Sequence, residues 1–336
     1  MPLKNDKRKS PQKWSNNEFV ERVNKELDSE EEVIFKEWQA EQEQKKKIRS
    51  LQKFFPKKKG TTPVSDRVDD GTIRLNKFLA NSGLGSRRGV DEFIKRGEVT
   101  IDGVIANEMG ARIDPTKQEI KYKGRVLKPI EEKYYVLLNK PKDTVTTSDD
   151  PQGRKTVMDY AQPLVPEGVR IFPVGRLDRN TTGLLLLTND GDLAQKLSHP
   201  SYRLKKIYHA SLNRNLKPTD LDKIAAGLEL EDGFAMVDQV SYMTGEAASE
   251  IGIEIHIGKN RIVRRIFEHL NYDVVKLDRI YYGGLTKKDV KRGHARLLNE
   301  REILMLKLFT GNKEDHAVPN DYQRGAFKKQ KTGKPE

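Results

Sequence analysis

The sequence predicts an α+β protein with two folded parts. A small helix-and-strand domain occupies residues 73–128, and a larger domain on a mixed, mostly antiparallel sheet occupies residues 133–310. Three observations lead there. Apolar residues at helical spacing cluster in short runs at the start of the first part, strand-like runs dominate the second, and the stretches between those strands lack the regular helical crossovers that a parallel sheet needs. The 336 residues are ample for two domains at roughly 100–200 residues each.

The ends read differently. Residues 1–72 set the apolar cluster Phe19, Val20, Val23, Leu27, Val33, Ile34, Phe35 and Trp38 among SEEE, KKK and PKKK blocks, the composition of a disordered charged arm and linker. Residues 311–336 have few aliphatic side chains and read as a disordered basic tail. Lys and Arg number 63 against 50 Asp and Glu, a formal charge of +13 that favours a polyanionic partner such as nucleic acid. The absence of cysteine excludes disulfides, thiolate nucleophiles and cysteine-based zinc sites, and fits a reducing compartment. The six histidines never fall at short metal-ligand spacing, so no metal is expected. The longest aliphatic run is Leu184 to Leu187, so neither a signal peptide nor a membrane span is expected, and the expected location is cytoplasmic.

In the first domain, Leu75, Phe78 and Leu79 in IRLNKFLANSG recur at helical spacing, and Gly83 offers a stop. Ser86 is placed as N-cap of a second helix, RRGVDEFIKRG, with Val90, Phe93 and Ile94 on its apolar face. VTIDGVIA reads as two short strands around an Asp102-Gly103 turn. Arg74, Lys77, Arg87, Arg88, Lys95 and Arg96 on so small a body favour phosphate contact over an ordinary solvated surface. RLNKFLANSGLGSRRGVDEFIKRGEVTIDG resembles the S4 RNA-binding domain, which implies two helices that straddle an RNA backbone.

In the second domain YYVLLNKP, RIFPVG, GLLLLTN, KKIYHASL and EIGIEIHIG are strand-like. GLGSRRG and GRKT lack phosphate-loop spacing. Asp178 lies between a strand and the turn RNTTG, flanked by Arg176 and Arg179, and spacing alone favours a structural ion pair there. GRLDRNTTGLLLLTNDG, however, resembles the signature of pseudouridine synthases of the ribosomal branch, whose members act on RNA of either ribosomal subunit. YYVLLNKP with TTSDDPQGRKTV, SHPSYRLKKIYHA and GKNRIVRRIFEHLNYDVVKLDRI follow in the family's order, and the last of these looks more like the large-subunit members.

The resemblance implies that Asp178 is the catalytic aspartate, which attacks or deprotonates the target nucleotide so that its N1 glycosidic bond breaks and the base rejoins through C5. By the same matching Tyr208 stacks on the uracil, Arg264 pairs with the aspartate, and Arg176 helps take the base out of its stack. Extruding a uridine costs a few kcal/mol, which an aromatic face and an inserted cation offset. Isomerisation conserves atoms, so no cofactor is expected. In KNRIVRRIFEHL an apolar stripe of Ile262, Val263, Ile266, Phe267 and Leu270 leaves Arg264 on the other face. Lys140, before Pro141, contacts RNA backbone or closes a turn, while His199 and Pro200 shape a turn. The chain departs from the family in having Ile262 for Gln and Asp143 for Gly. The expected partner is ribosomal RNA, specifically 23S rRNA or an intermediate in large-subunit assembly, and the enzyme is expected to be a monomer. The alternative is a catalytically inactive RNA-binding ribosome assembly factor, against which intact Asp178, Tyr208 and Arg264 argue. A glycosidase would need a second carboxylate.

Overall fold

The structure, a computed structural model, describes Trp14–Ser15 (β1) and residues 71–310. In the small domain a strand of two residues, Ile73–Arg74 (β2), runs straight into helix α1 (Leu75–Asn81), and a short turn leads to α2 (Arg87–Lys95). Ser86 caps α2 as its sequence requires: the Gly89 amide donates to its hydroxyl at 3.0 Å. Leu75, Phe78 and Leu79 from α1 meet Val90 and Ile94 from α2 in a core closed by Val99, Ile113 and Ile120. Strands Val99–Ile101 (β3), Val104–Ile105 (β4), Ile120–Tyr122 (β6) and Arg125–Val126 (β7) form a sheet in the order β4-β3-β6-β7, and Arg112–Ile113 (β5) pairs with β2. The β3–β4 hairpin turns on Asp102 and Gly103, both with positive φ, as the sequence Asp-Gly predicts.

The stretch KPIEEK between the two domains is held at both ends. The Ile130 amide donates to the Asn81 carbonyl at 2.9 Å. The Asn189 side chain donates to the Glu132 carbonyl and accepts from the Tyr134 amide, each at 2.8 Å. Lys77 of α1 adds an ion pair to Asp192 at 2.6 Å.

The second domain is organised by a ten-stranded sheet that also takes in β1. Its other strands, in chain order, are Tyr135–Lys140 (β8), Phe172–Pro173 (β9), Thr182–Thr188 (β10), Lys206–Leu212 (β11), Gln239–Thr244 (β14), Glu250–Ile255 (β15), Val274–Tyr282 (β16), Leu285–Thr286 (β17) and Ala295–Leu297 (β18). A separate hairpin joins Leu228–Leu230 (β12) to Gly233–Ala235 (β13). The main path of the large sheet is β1-β14-β15-β11-β16-β10-β8-β18. Helices α3 (Met158–Ala161), α4 (Gly191–Ser198), α5 (Pro218–Ala226), α6 (Ile262–His269) and α7 (Glu300–Phe309) complete the domain. Pairing is antiparallel except between β10 and β16 and between β1 and β14. The charged arm expected without fixed structure therefore contributes one strand, with Trp14 and Ser15 opposite Met243 and Thr244. The rest of residues 1–70 and the tail 311–336 lie outside the described residues.

All seven residues of β10 are buried. Their side chains alternate between two cores: Leu185 and Leu187 join Val136 and Leu138 on one face, while Leu184 and Leu186 join Tyr135 and Leu137 on the other. An uninterrupted leucine run is what a strand covered on both faces requires. At its start β10 approaches β16 so closely that a Cβ on Gly183, whose φ is +106°, would lie 2.2 Å from the Arg279 carbonyl oxygen. This close passage fixes the loop that precedes β10, which carries Asp178.

Candidate active site

The loop before β10 is held from below by a buried lysine. Lys140, the last residue of β8, has no solvent exposure, and its Nζ donates to the carbonyls of Asp178 (3.0 Å), Arg179 (3.1 Å), Thr181 (2.8 Å) and Pro141 (3.2 Å). Of the two roles the sequence left open, turn closure is the one this geometry fits. Burial pushes the ammonium pKa down to about 8, while Asp178 and Asp143 oppose that shift. From the other side the Thr146 hydroxyl donates to the Leu177 carbonyl at 2.8 Å. The Asp178 backbone is thus immobilised, and its half-exposed carboxylate is left to face outward.

Helix α6 supplies the cations. Arg261 begins it with φ +47°, and Ile262, Val263, Ile266 and Phe267 bury the apolar stripe. Arg264 Nε lies 3.6 Å from Asp178 Oδ2, and Arg261 Nη1 lies 3.5 Å from the same oxygen. These are ion-pair distances, just beyond a good hydrogen bond. Arg264 is anchored by donating from Nη1 to the Val274 carbonyl at 2.6 Å, and its buried Nε has no hydrogen-bond partner. Burial, reinforced by repulsion from Arg261, lowers its pKa from the usual arginine value, yet guanidinium stays charged at neutral pH. Asp178 is therefore held by charge, with its carboxylate oxygens not locked in tight bonds to these arginines.

Tyr208 lies on β11 opposite Ile253 and Arg279, at a register shift between Ile207 and Tyr208. Such irregularities re-aim side chains. The residue is 8% exposed and belongs to the core cluster that holds Leu177, Ile262 and Val263, which places it in the packing that carries both the Asp178 loop and α6. Arg176 is exposed on the loop two residues before Asp178.

Both departures from the family pattern have a place. Asp143 has φ +64°, a conformation that favours glycine. Its amide donates to the Arg179 carbonyl at 2.9 Å and its carboxylate pairs with the Arg179 guanidinium at 2.6 Å, so the residue after Asp178 is tied back. Ile262 is 5% exposed in the larger core, where it seats the first turn of α6. His199 accepts from the Ser201 amide at 3.2 Å, the turn its sequence predicts.

The basic residues of the small domain lie apart from this centre. Arg74, Arg87, Arg88, Lys95 and Arg96 are exposed. Lys95 pairs with Glu92 at 2.8 Å, and Arg96 reaches Glu98 at 3.8 Å and covers the Phe93 ring. Lys77 is less exposed than these, and its ammonium pairs with Asp192. Sequence reasoning missed Arg261 as a second cation at Asp178, for which its place in the NR pair of GKNRIVRR is the only signal.

Comparison with known proteins places the chain in a family. Residues 134–269 match the family model for RNA pseudouridylate synthase, and residues 73–118 match that for the S4 domain. A ribosomal large subunit pseudouridine synthase B of Bacillus subtilis (strain 168) is 39% identical over 238 residues, covering 70% of this chain and 95% of that protein. An uncharacterized RNA pseudouridine synthase of Aquifex aeolicus (strain VF5) is 36% identical over 236 residues, covering 70% and 93%. A crystal structure of a pseudouridylate synthase matches with a TM-score of 0.50 at 28% identity, over 70% of this chain and 99% of that one. Fold and sequence together define an S4 domain followed by a catalytic domain of the isomerase class. The chain belongs to the RNA pseudouridine synthase family. Among the described residues no helix is long and apolar enough to cross a membrane.

Proposed function

We propose that this enzyme, a cytoplasmic monomer, isomerises one specific uridine in 23S rRNA of the large ribosomal subunit. The choice of 23S rRNA rests on similarity to the Bacillus subtilis protein named for the large subunit. The observation that carries the chemistry is the Asp178 carboxylate, half-exposed beside Arg261 and Arg264 on a loop whose backbone Lys140 holds.

In this reading the target uridine leaves its stack, with Arg176 entering the space it vacates, and the uracil lies against Tyr208. Asp178 then acts on the nucleotide as nucleophile or base, the N1 glycosidic bond breaks, the base turns, and C5 takes the place of N1 on the ribose, giving up its proton while N1 gains one. Arg264 keeps Asp178 oriented and balances its charge throughout. Arg74, Lys77, Arg87, Arg88, Lys95 and Arg96 supply phosphate contacts that capture the RNA, Lys77 while it stays paired with Asp192. Mapping pseudouridines in ribosomal RNA from cells with and without the gene tests the proposal. One 23S position should lose its modification, and an unchanged map would overturn it.

A further inference from the structure

Between the two domains lies a cavity of about 710 Å³ that the isomerisation chemistry does not use. Ser86, Arg87 and Arg88 at the start of α2 line one side, and Arg170 and Asn189 of the catalytic domain line the other. Arg170 is half-buried, and burial lowers its pKa. Among the described residues neither it nor Arg87 or Arg88 has a hydrogen bond or ion pair through its guanidinium. Three arginines facing one cavity repel each other unless an anion joins them. The one carboxylate in the lining, Asp192, is already taken by Lys77 at 2.6 Å. Lys133, also in the lining, adds a fourth positive charge and donates only to the Ile130 carbonyl at 3.4 Å.

The position of this seam relative to Asp178 follows from β10. Asp178 precedes the strand, whereas Asn189 follows its last residue, Thr188. Seven residues at roughly 3.3 Å each put the two ends about 23 Å apart. That is of the order of seven base pairs at 3.4 Å of rise each. The ion pair Lys77–Asp192 and the hydrogen bond from Ile130 to Asn81 brace the domains beside the cavity, so its two walls are preset.

We infer that this seam binds a backbone phosphodiester of the substrate RNA several nucleotides from the target uridine, with Arg170 as the catalytic domain's cation and Arg87 and Arg88 as those of the S4 domain. The inference deepens the proposed function and rests on RNA being the substrate. It assigns to Arg170, which lies outside the S4 domain, a part in RNA capture but none in the chemistry. Full-length protein and a transcript of 23S rRNA provide the test, with affinity measured over a salt series. Arg170→Gln should weaken binding at low salt and flatten the log K against log salt slope by roughly 0.7–0.9, the loss of one phosphate contact. Arg170→Lys should keep the wild-type slope. Combining Arg170→Gln with Arg87→Gln should cost less than the sum of the two, because both serve one phosphate.

A wild-type slope for Arg170→Gln would overturn the inference. So would a seam that takes only free anion: inorganic phosphate raising the Tm of wild type but not of Arg170→Gln at constant ionic strength, with RNA slopes unchanged. Failure of the functional reading looks different. Wild-type protein would then form no pseudouridine in any ribosomal RNA, whatever the slopes.

Discussion

The Nζ of Lys140 lies 3.0 Å from the backbone carbonyl oxygen of Asp178, so the residue proposed to react is positioned through its main chain by a side chain 38 positions earlier. Four carbonyls converge on that ammonium, and none of them has a charge of its own to hold it in place. Lys140→Met fills the space but takes the ammonium donor from the Pro141 and Thr181 carbonyls, while those of Asp178 and Arg179 keep the Thr181 and Asp143 amides; the loss is about 1–3 kcal/mol for a buried group. The urea midpoint should fall accordingly. The rate at saturating RNA should drop further than the stability loss explains, with RNA affinity nearly unchanged. A variant as active and as stable as wild type would contradict the positioning role.

Buried lysines give the fold a pH signature. Burial pushes Lys140 and Lys206 down to about 8, Lys206 with a smaller contribution from nearby Arg279. In the unfolded chain lysine titrates near 10.4. Between those values the unfolded chain binds more protons than the folded one, so these groups make stability rise with pH from about 8 to about 10.4. Below pH 8 both states are protonated and the full burial penalty is felt. Lys206 is the cleaner probe, since its Nζ donates to one carbonyl, that of His256 at 2.9 Å, against four for Lys140. Urea titrations of wild type and Lys206→Met should show a smaller rise across this window in the variant, and parallel curves would show that burial is not acting on Lys206.

The two arginines at Asp178 should not be equal. Arg264 is 11% exposed and fastened to Val274, whereas the Arg261 side chain is 46% exposed and shared with Glu268. Arg264→Lys keeps the charge but cannot hold both Val274 and Asp178. Loss of a charge-assisted bond worth about 1.5–3 kcal/mol corresponds to roughly ten- to a hundred-fold in rate. Arg261→Gln removes a solvent-screened pair worth about 0.2–1 kcal/mol, less than roughly sixfold. Single-turnover rates at saturating RNA would reveal the order, and a reversed order would assign the main cation to Arg261.

Gly183→Ala tests the close passage of β10 against β16. The new methyl would meet the Arg279 main chain, which cannot swing aside, at a φ that alanine rarely adopts. A loss of more than about 3 kcal/mol is expected from overpacking and backbone strain together. Chemical denaturation of the purified variant measures it, and a near-neutral result would mean that the two strands are not so close.

What the sequence made legible was mostly local. Ser86 announced its helix, Asp102-Gly103 its hairpin and Leu184 to Leu187 a strand, because each depends on a short run of side chains. Asp178 and Arg264 are 86 residues apart, and no periodicity joins them; the ordered family motifs did. Lys140 stayed ambiguous because its partners are backbone carbonyls, which have no sequence signature of their own. Lys77 read as one more basic side chain, since nothing in its neighbourhood along the chain foretells Asp192, 115 residues on. The pairing of Trp14 and Ser15 with β14 was equally hidden, two residues being too few for any pattern.

Asp178→Asn in the full-length protein, assayed for pseudouridine formed in ribosomal RNA, decides whether the Asp178 carboxylate is the reacting group. The change removes the negative charge but keeps the shape, and it leaves the Lys140 contact intact, because that contact is to the main chain. The expected result is loss of isomerisation with RNA affinity within about twofold of wild type, since a carboxylate has no role in holding phosphates. Substantial turnover by purified Asp178→Asn would contradict it.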